Sequence, residues 1–576
     1  MKIILGKKAG FCLGVRRAMN SVLDLSNRSE KKIYTYGPLI HNPQVVEALR
    51  DKGIEEYPEI NVKNREACIL IRAHGIAPSV YNELQLSGLE LVDGTCPFVK
   101  SVQARIKDCS SKGKNIIIVG HEGHPEVIGL EGFIGTKGAI ISTLEEVSQL
   151  ELEEPITVVA QTTFDEHLWD KIKGRLRGIY KDIQFCNTIC SATHERQEEI
   201  RNIAKEVDCV VIVGGKNSGN TNRLFQIASK YCQRTYYIET EKELNASMFK
   251  GVKRIGISAG ASTPSWIIRR VIEKISTLRK EKTSFLFKIF SNIFEVAVFS
   301  NIYLAIGSFS MSYLVQRLLT DSFSPKFALI SFFYIFSMVT INRFADKKSF
   351  KLNEPSRYNF YNNYVKPLQI SALISSIISL YWAYTLSRYI FLFLFLCWLS
   401  GWFYTIKIRP LFLKNLLPIS SLREIPASKT FFLAIGWAGV VVFVPILYFK
   451  SRDIVFFTYI FLYCFGLVFI RQAFFDIKDI QGDRMVGKET LPTFFGQTVT
   501  EYMMFGSIVI IFLLTSIIYI IRFISLSYLV ILILPLIYTF FYYFYLRDEL
   551  AISAVKRELI VDAVFILTGL AAWIKG

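Results

Sequence analysis

The sequence predicts two parts of different fold class: an α/β first half and an all-α second half that crosses a membrane. Over residues 1–280, short β-branched runs alternate with amphipathic helical stretches, as in domains built on parallel sheets. From about residue 285, uncharged runs long enough to span a bilayer recur. With 51% hydrophobic and only 20% charged residues, the chain is neither disordered nor purely soluble.

Eight segments of the first half are predicted strands, and turns rich in glycine and polar residues follow nearly all of them. They are KIILG, KIYTYG, CILIRAHG, NIIIVGHEGH, ITVVAQTT, CVVIVGG, RTYYI and RIGISAG. The carboxyl ends of parallel strands share one edge of a sheet, and ligands bind there. No GxGxxG or GxxxxGK[ST] motif occurs, which argues against a dinucleotide or Walker-type nucleotide site.

Polar side chains at these strand ends form one candidate site. Such turns point backbone N–H groups and helix N-termini at a common position, which suits a phosphate group. A single polar turn residue is ordinary turn chemistry, whereas a set at successive strand ends is harder to explain that way. The candidates are His41, His74, His124, Glu126, Thr162, Thr163, Ser218, Asn220 and Ser262.

Three of the ten cysteines stand out from the others. Ten cysteines without close spacing indicate a reducing compartment. Cys12, Cys96 and Cys190 each follow a predicted strand at a turn, in GKKAGFC, LELVDGTC and FCNTIC. Three thiolates from three sheet units would hold an iron–sulfur cluster with one iron lacking a protein ligand, the open position that a catalytic metal needs. Three unrelated thiols are the alternative that spacing alone leaves open.

Nine motifs occur in order over about residues 1–278: AGFCLGV, HNPQVVEAL, RAHGI, DGTCPFV, GHEGHPEVIG, QTTF, ICSATHERQ, GGKNSGNTNRL and SAGASTPSWII. Together they resemble the 4-hydroxy-3-methylbut-2-enyl diphosphate reductases, the LytB/IspH family. The resemblance implies a 4Fe–4S cluster on Cys12, Cys96 and Cys190, at the centre of three pseudo-symmetric α/β units. It also implies a reaction in which two electrons and two protons convert a hydroxylated allylic diphosphate into isopentenyl and dimethylallyl diphosphates, with loss of water.

The resemblance also implies a role for each candidate residue. Glu126 would be the catalytic proton donor, and Thr162 would hydrogen-bond the same substrate hydroxyl, although sequence does not distinguish Thr162 from Thr163. The residues expected to bind the diphosphate are His41, His74, His124, Ser218, Asn220 and Ser262. Position 219 is glycine, where the family often has a second serine. No flavin or ferredoxin domain is recognisable, so we expect an external electron donor such as ferredoxin or flavodoxin.

Nine segments of the second half are predicted to span the membrane. They are residues 296–316, 327–341, 368–387, 389–406, 430–449, 454–470, 502–521, 523–546 and about 559–573. Loops after the even-numbered spans contain eighteen Lys and Arg residues, against six in the other loops. The positive-inside rule therefore predicts a cytoplasmic first half and a C-terminus on the opposite side. This distribution accounts for much of the +18 net charge and argues against a nucleic-acid partner.

Three aspartates follow the sixth predicted span. Asp476, Asp479 and Asp483 are spaced i, i+3 and i+7, which puts three carboxylates on one helical face. Like charges so close favour a bound cation, and Mg²⁺ bridging a diphosphate is the usual occupant of such a site. The surrounding segment, FFDIKDIQGDRMVGKETLPTFFG, resembles the second aspartate motif of the UbiA family of intramembrane prenyltransferases, and the similarity extends over about residues 288–574.

The first UbiA motif, NDxxDxxxD, is only partly present. Asn342 and Asp346 match it, whereas Arg343 and Phe350 stand where aspartate is expected. The resemblance implies that Asn342 and Asp346 join the three aspartates in a magnesium–diphosphate site, and that Lys429 contacts the diphosphate. Arg343 could instead pair with the diphosphate directly and replace part of the metal.

The predicted organisation is an iron–sulfur diphosphate reductase domain at 1–278, a basic linker at 279–287 and a UbiA-like transmembrane domain at 288–576. The leading interpretation is a reductase fused to a Mg²⁺-dependent prenyltransferase in the lipid bilayer. The alternative is an iron–sulfur redox sensor on a catalytically silent membrane anchor. A sensor would not need Glu126 together with the diphosphate-binding side chains.

Overall fold

The computed structural model describes residues 2–29, 31–57, 67–280, 285–320, 323–405, 425–449, 453–547, 549 and 552–575. The chain forms two compact units, residues 1–279 and residues 280–576. Of the predicted linker at 279–287, residues 281–284 lie outside the described residues. Its first two residues end one helix, and its last three begin the next.

The first unit contains three four-stranded parallel sheets, which confirms the predicted α/β class. The strand orders are β1-β12-β10-β11, β3-β2-β4-β5 and β7-β6-β8-β9. The strands are β1 (Lys2–Leu5), β2 (Lys32–Tyr36), β3 (Ile54–Glu56), β4 (Ala67–Ile71), β5 (Glu90–Asp93), β6 (Asn115–Val119), β7 (Gly138–Ile141), β8 (Ile156–Ala160), β9 (Ile183–Cys186), β10 (Cys209–Val213), β11 (Thr235–Ile238) and β12 (Arg254–Ala259).

Helices connect these strands and cover the sheets. They are α1 (Leu13–Arg28), α2 (Pro43–Arg50), α3 (Pro78–Leu86), α4 (Pro97–Ser111), α5 (Pro125–Glu131), α6 (Glu166–Arg177), α7 (Ser191–Glu206), α8 (Gly219–Tyr231) and α9 (Ser265–Lys280). The central strands β4, β8 and β10 are buried along their whole length, as expected for parallel strands covered on both faces.

The sheet that contains β1 joins the two ends of this unit. Strand β1 pairs in parallel with β12, in the register Lys2↔Arg254 to Leu5↔Ile257. The strand that leads to Cys12 is therefore held by a strand about 250 residues further along the chain.

The second unit is all helical within the described residues, in agreement with the predicted class. Its helices are α10 (Phe285–Phe299), α11 (Ile302–Thr320), α12 (Pro325–Ala345), α13 (Lys347–Asn353), α14 (Pro355–Asn363), α15 (Val365–Leu386), α16 (Arg388–Thr405), α17 (Ser428–Phe449), α18 (Ile454–Val486), α19 (Leu491–Phe494), α20 (Gln497–Ile520), α21 (Leu526–Arg547) and α22 (Ala554–Lys575). A buried apolar core runs through the long helices of this unit.

Six described helices, α12, α15, α17, α18, α20 and α21, are long and apolar enough to cross a membrane. A bent pair, Lys288–Phe299 with Ile302–Thr320, would make a seventh. The multi-pass membrane domain is supported, but the count of nine spans is not confirmed. The last predicted span lies in α22, whose Arg557, Glu558 and Asp562 lower its hydropathy.

Helix α18 differs from its prediction in length. The predicted span ends at residue 470, whereas the helix continues to Val486 and carries all three aspartates of the second motif, in agreement with their helical spacing. It ends where Gly487 adopts the left-handed conformation at φ 73°, which glycine reaches without strain.

Candidate functional site

The three selected cysteines occupy equivalent positions in the fold. Cys12, Cys96 and Cys190 are the N-cap residues of α1, α4 and α7, and each follows the carboxyl end of a strand. Each belongs to a different sheet, through β1, β5 and β9. A helix N-terminus stabilises a thiolate because its free N–H groups and dipole favour negative charge.

Each cysteine is also fixed by one equivalent backbone hydrogen bond. The N–H groups of Cys12, Cys96 and Cys190 donate to the carbonyls of Ala261, Ala73 and Thr162, at 3.2, 2.9 and 2.9 Å. The three acceptors lie in the turns that follow β12, β4 and β8, the strands hydrogen-bonded to those that lead to the cysteines. One local arrangement is therefore repeated in all three sheets.

The three thiols are close enough to interact. A Cβ placed on Gly14, two residues after Cys12, would lie 2.5 Å from Cys96 Sγ, so only glycine permits this approach. Burial raises the pKa of the Cys96 thiol, the backbone N–H groups of Phe98 and Val99 lower it, and both other thiols raise it. Convergent thiols at helix N-termini fit an iron–sulfur cluster, because thiolates are the ligands that such clusters prefer.

Three histidine side chains form a cluster at the neighbouring strand ends. The ring centroids of His41 and His74 are 4.8 Å apart, and those of His74 and His124 are 5.6 Å apart. Burial lowers the pKa of all three imidazoles, and the pKa of His124 falls to about 4. The imidazoles are therefore neutral at pH 7.

Within the described residues, several polar atoms in and beside the histidine cluster have no hydrogen-bond partner. Among the described residues, the buried His41 Nε2 and His74 Nδ1 form no hydrogen bond, and neither amide atom of Asn220 does. His124 Nδ1 accepts the Glu126 N–H at 3.2 Å, so the neutral ring carries its proton on Nε2 and can donate it to an anion. Buried polar groups without partners are costly, which indicates that a polar ligand belongs here.

Glu126 is the most perturbed carboxyl group of the site. Its side chain is only 2% exposed. One oxygen accepts the Thr162 N–H at 2.7 Å, and the other accepts the Thr162 hydroxyl at 2.9 Å. Burial raises the pKa of Glu126 to about 7, although the Thr162 hydrogen bonds lower it. A carboxyl group with such a pKa can hold or release a proton near neutral pH.

The two neighbouring threonines take different positions. The Thr162 hydroxyl faces Glu126, whereas the Thr163 hydroxyl accepts a hydrogen bond from Gln161 Nε2 at 3.0 Å. The Thr162 carbonyl also accepts the Cys190 N–H. Thr162 therefore connects the carboxyl group to the thiol site, and Thr163 does not.

The remaining candidates come from the sheet that contains β10 and β12. Ser218 caps α8 by accepting the Thr221 N–H at 3.4 Å, and Asn220 follows in the first turn. The Ser262 hydroxyl donates to the His41 carbonyl at 3.2 Å. A Cβ on Gly215 would lie 2.5 Å from the same carbonyl, so this turn packs directly on the histidine cluster.

Two arginines near the site were not selected from the sequence. Arg72 lies two residues before His74, and its charge lowers the pKa of His41, His74 and His124. Arg196 lies in α7 and donates to the backbone next to Cys12 and Cys190. Arg72 is the first residue of the motif RAHGI and Arg196 lies in ICSATHERQ, so a basic residue in the same motif as a candidate ligand was the available signal.

The second unit has a polar cavity of its own. Asp476, Asp479 and Asp483 of α18 line it together with Asn342 and Asp346 at the end of α12. Asp476 accepts hydrogen bonds from Thr430 Oγ1 at 2.7 Å and Gln472 Nε2 at 2.9 Å. Asp483 accepts one from Ser349 Oγ at 2.6 Å. Five carboxylate and amide side chains around one cavity fit the oxygen ligands that Mg²⁺ prefers.

Basic residues take part in the same cavity. Lys429 and Lys488 each form an ion pair of 3.1 Å with Asp346, one on each carboxylate oxygen. Arg343 pairs with Glu558 of α22 at 3.5 Å and lies over the Phe350 ring. The first-motif side therefore contributes one carboxylate, which two lysines pair, whereas the second-motif side contributes three.

Comparison with known proteins gives two family matches, which confirm both resemblances. Residues 3–276 match the family described as LytB protein, and residues 304–565 match the UbiA prenyltransferase family. The 4-hydroxy-3-methylbut-2-enyl diphosphate reductase of Aquifex aeolicus (strain VF5) is 42% identical over 280 residues, which cover 48% of this chain and 96% of that protein.

Solved structures resemble each half separately. A structure of (E)-4-hydroxy-3-methyl-but-2-enyl diphosphate reductase has 42% sequence identity and a TM-score of 0.41, and the match covers 48% of this chain and 99% of that one. A UbiA homolog from Archaeoglobus fulgidus, bound to DMAPP and Mg²⁺, has 19% identity and a TM-score of 0.33, with 47% and 96% covered.

Proposed function

The chain belongs to the LytB family through its first half and carries a UbiA prenyltransferase family domain in its second, and from this premise we propose that it is a membrane-bound 4-hydroxy-3-methylbut-2-enyl diphosphate reductase. The reaction consumes two electrons and two protons and releases water together with isopentenyl or dimethylallyl diphosphate. The observation that carries the proposal is the convergence of three N-cap thiols, one buried carboxyl group and an unpartnered polar cluster in one unit.

The polar cluster binds the diphosphate in this proposal. His41, His74 and His124 surround the anion with Ser218, Asn220 and Ser262. His124 donates from Nε2, because its Nδ1 is occupied by the Glu126 N–H. The α8 N-terminus behind Ser218 adds backbone N–H donors. The positive charge of Arg72 acts on the histidine cluster and therefore also favours an anion bound there.

Cys12, Cys96 and Cys190 would hold the iron–sulfur cluster. The cluster, when bound, would supply electrons and a Lewis-acidic iron for the substrate hydroxyl, a poor leaving group. The protein supplies three thiols at helix N-termini, where negative charge is favoured. The electrons would come from an external donor such as ferredoxin or flavodoxin.

Glu126 supplies a proton to the departing hydroxyl, which leaves as water. Its oxygens are both engaged by Thr162, which fixes the orientation of the carboxyl group. With a pKa of about 7, a large fraction of Glu126 is protonated at neutral pH, whereas an exposed glutamate would be ionised.

The pH dependence of turnover follows from this role. Protonated Glu126 is the active form, so we expect kcat to fall about tenfold per pH unit above about 7. Thr162→Val removes a hydrogen bond that favours the carboxylate, which raises the pKa of Glu126 and moves the fall to higher pH. The measurement is kcat against pH for both proteins. A fall at the same pH in Thr162→Val would contradict the assignment.

The function itself is tested with anaerobically purified full-length protein. We expect about four irons per chain and turnover of 4-hydroxy-3-methylbut-2-enyl diphosphate with a chemically reduced viologen as electron source. A protein that binds the cluster but does not turn over this diphosphate would favour the alternative, a redox sensor on a membrane anchor. The buried pair of Glu126 and Thr162 argues against a sensor, which needs no proton donor.

For the second unit, we infer Mg²⁺-dependent prenyl transfer at the cytoplasmic face. Asp476, Asp479 and Asp483, with Asn342 and Asp346, would hold a metal-bound diphosphate, and Lys429 and Arg343 would add positive charge to it. Loss of diphosphate would leave an allylic cation, which the aromatic side chains of the helical bundle can stabilise. A reductase that makes allylic diphosphates would then lie on the same side of the bilayer as their consumer.

Prenyl transfer is tested with membranes, Mg²⁺, labelled dimethylallyl, geranyl and geranylgeranyl diphosphates, and lipid and aromatic acceptors. We expect Asp479→Ala, which removes a cavity carboxylate, to lower product more than about tenfold, as EDTA does. Glu501→Ala removes a carboxylate from α20 outside the cavity and is the matched control. The absence of any product or Mg²⁺-dependent diphosphate binding would leave a catalytically silent anchor.

A further inference from the structure

Helix α7 holds two of the three cysteine turns at once. Cys190 is its N-cap, and the turn before Cys12 packs on its side. The Glu199 carboxylate of α7 accepts the N–H groups of Lys7 and Lys8 at 2.7 and 3.1 Å. A Cβ on Gly6 would lie 2.7 Å from the same carboxylate, so the turn lies directly against the helix.

Arg196, one helical turn before Glu199, completes this contact. Its Nη2 donates to the Gly10 carbonyl at 2.8 Å, and its Nη1 donates to the Ala192 carbonyl at 2.9 Å. Gly10 is two residues before Cys12, and Ala192 is two residues after Cys190. One planar guanidinium group therefore joins both cysteine turns, and lysine could not make the two bonds in this geometry.

Arg196 is a buried charge, because its side chain is only 5% exposed. No described carboxylate forms an ion pair with it, and its Nε has no hydrogen-bond partner among the described residues. Burial lowers the pKa of Arg196, whereas Cys12 and Cys190, followed by the α7 carboxylates Glu199 and Glu195, raise it, so the guanidinium lies within electrostatic reach of both thiols. A buried arginine that forms no ion pair is costly unless negative charge lies nearby, and the two thiols are the largest such contributions here.

We propose that Arg196 is a positioning residue for the iron–sulfur cluster, which fixes the Cys12 turn against α7 and keeps one positive charge beside the thiolates. The proposal rests on the assignment of Cys12, Cys96 and Cys190 as cluster ligands. Positive charge favours the reduced, more negative state of a cluster, so Arg196 raises the reduction potential. The guanidinium bridge also slows the loss of iron, because it holds two ligand turns in place.

The test uses the anaerobically loaded full-length protein in detergent, with two measurements: the reduction potential and the rate of iron loss to a chelator. In Arg196→Gln, we expect a tenfold shift of the one-electron equilibrium toward the oxidised cluster, which corresponds to 59 mV, and about tenfold faster iron loss. In Arg196→Lys, we expect a potential near that of wild type but equally fast iron loss.

Lys205→Gln removes the same charge from the other end of α7 and is the matched control, with both values unchanged. An unchanged potential in Arg196→Gln would overturn the proposal, and so would Arg196→Lys shifting the potential as far as Arg196→Gln. If either variant folds, by circular dichroism, but holds no cluster, the positioning role is supported. A wild-type protein without any cluster would instead overturn the assignment of the three cysteines.

Discussion

Glu126→Gln is expected to lower kcat of the reductase by about 10²–10⁴-fold while iron content stays at the wild-type value. Glutamine keeps the size of the side chain, its carbonyl oxygen can still accept the Thr162 N–H, and its amide NH₂ can donate to the Thr162 hydroxyl oxygen. It has no acidic proton for the departing hydroxyl. The measurements are single-turnover kinetics and iron per chain.

The matched control for this variant is Glu122→Gln, in the same turn as His124. Glu122 is exposed, so its replacement leaves the buried site unchanged, and wild-type turnover is expected. Wild-type turnover in Glu126→Gln as well would remove Glu126 from the proton path. Loss of iron in Glu126→Gln would mean that the carboxyl group stabilises the thiol site.

Cys96→Ser is the second change with a large expected effect. A serine hydroxyl is a poor iron ligand beside a thiolate, and two remaining thiolates hold a cluster weakly. We expect iron per chain to fall from about four to below one, and turnover to fall to background. The readouts are iron content and the visible absorbance of the cluster.

Cys109→Ser provides the control on the same helix. Cys109 lies in α4 and is buried in the core. Its replacement by serine weakens core packing but removes no proposed cluster ligand. Wild-type iron content in Cys109→Ser and loss in Cys96→Ser would assign the cluster to the cap position. Full iron content in Cys96→Ser would disprove that assignment.

The interior strands were predictable because their sequences are continuous β-branched runs that end in turn residues. The edge strands β3 and β7 were missed, since Ile54–Glu56 and Gly138–Ile141 are short and lack such a run. An edge strand gains its pairing from one neighbour only, and no local pattern in the sequence records that neighbour.

The site residues were identifiable by type and position, but their contacts were not. Thr162 and Thr163 are adjacent and chemically identical, and only the fold turns one toward Glu126 and the other toward Gln161. The role of Arg196 depends on a carbonyl at Gly10, 186 residues away. Long-range hydrogen bonds of this kind leave no spacing pattern in a sequence.

Helix α22 shows where a hydropathy pattern underestimates a helix of the membrane domain. In α22, Arg557 pairs with Glu354 at 2.7 Å, and Asp562 pairs with Arg471 at 2.7 Å. Charges that are paired inside the protein need not face lipid, so a hydropathy window underestimates such a helix. Helix α18 continues past the predicted end of its span at residue 470, and the i, i+3, i+7 spacing of its three aspartates was the sequence signal for a helix there.

The pairing of β1 with β12 determines when the first unit can be completed on the ribosome. At about 5–20 residues per second, the roughly 250 residues between the two strands take about 12–50 s to synthesise. During this time the turn of Cys12 has no partner strand, whereas Cys96 and Cys190 have theirs as soon as they are made, because β4 and β8 precede them in the chain. In the proposed assignment, the third ligand turn therefore gains its partner strand only after β12 (Arg254–Ala259) has been made, shortly before synthesis reaches the first helix of the second unit, α10 (Phe285–Phe299).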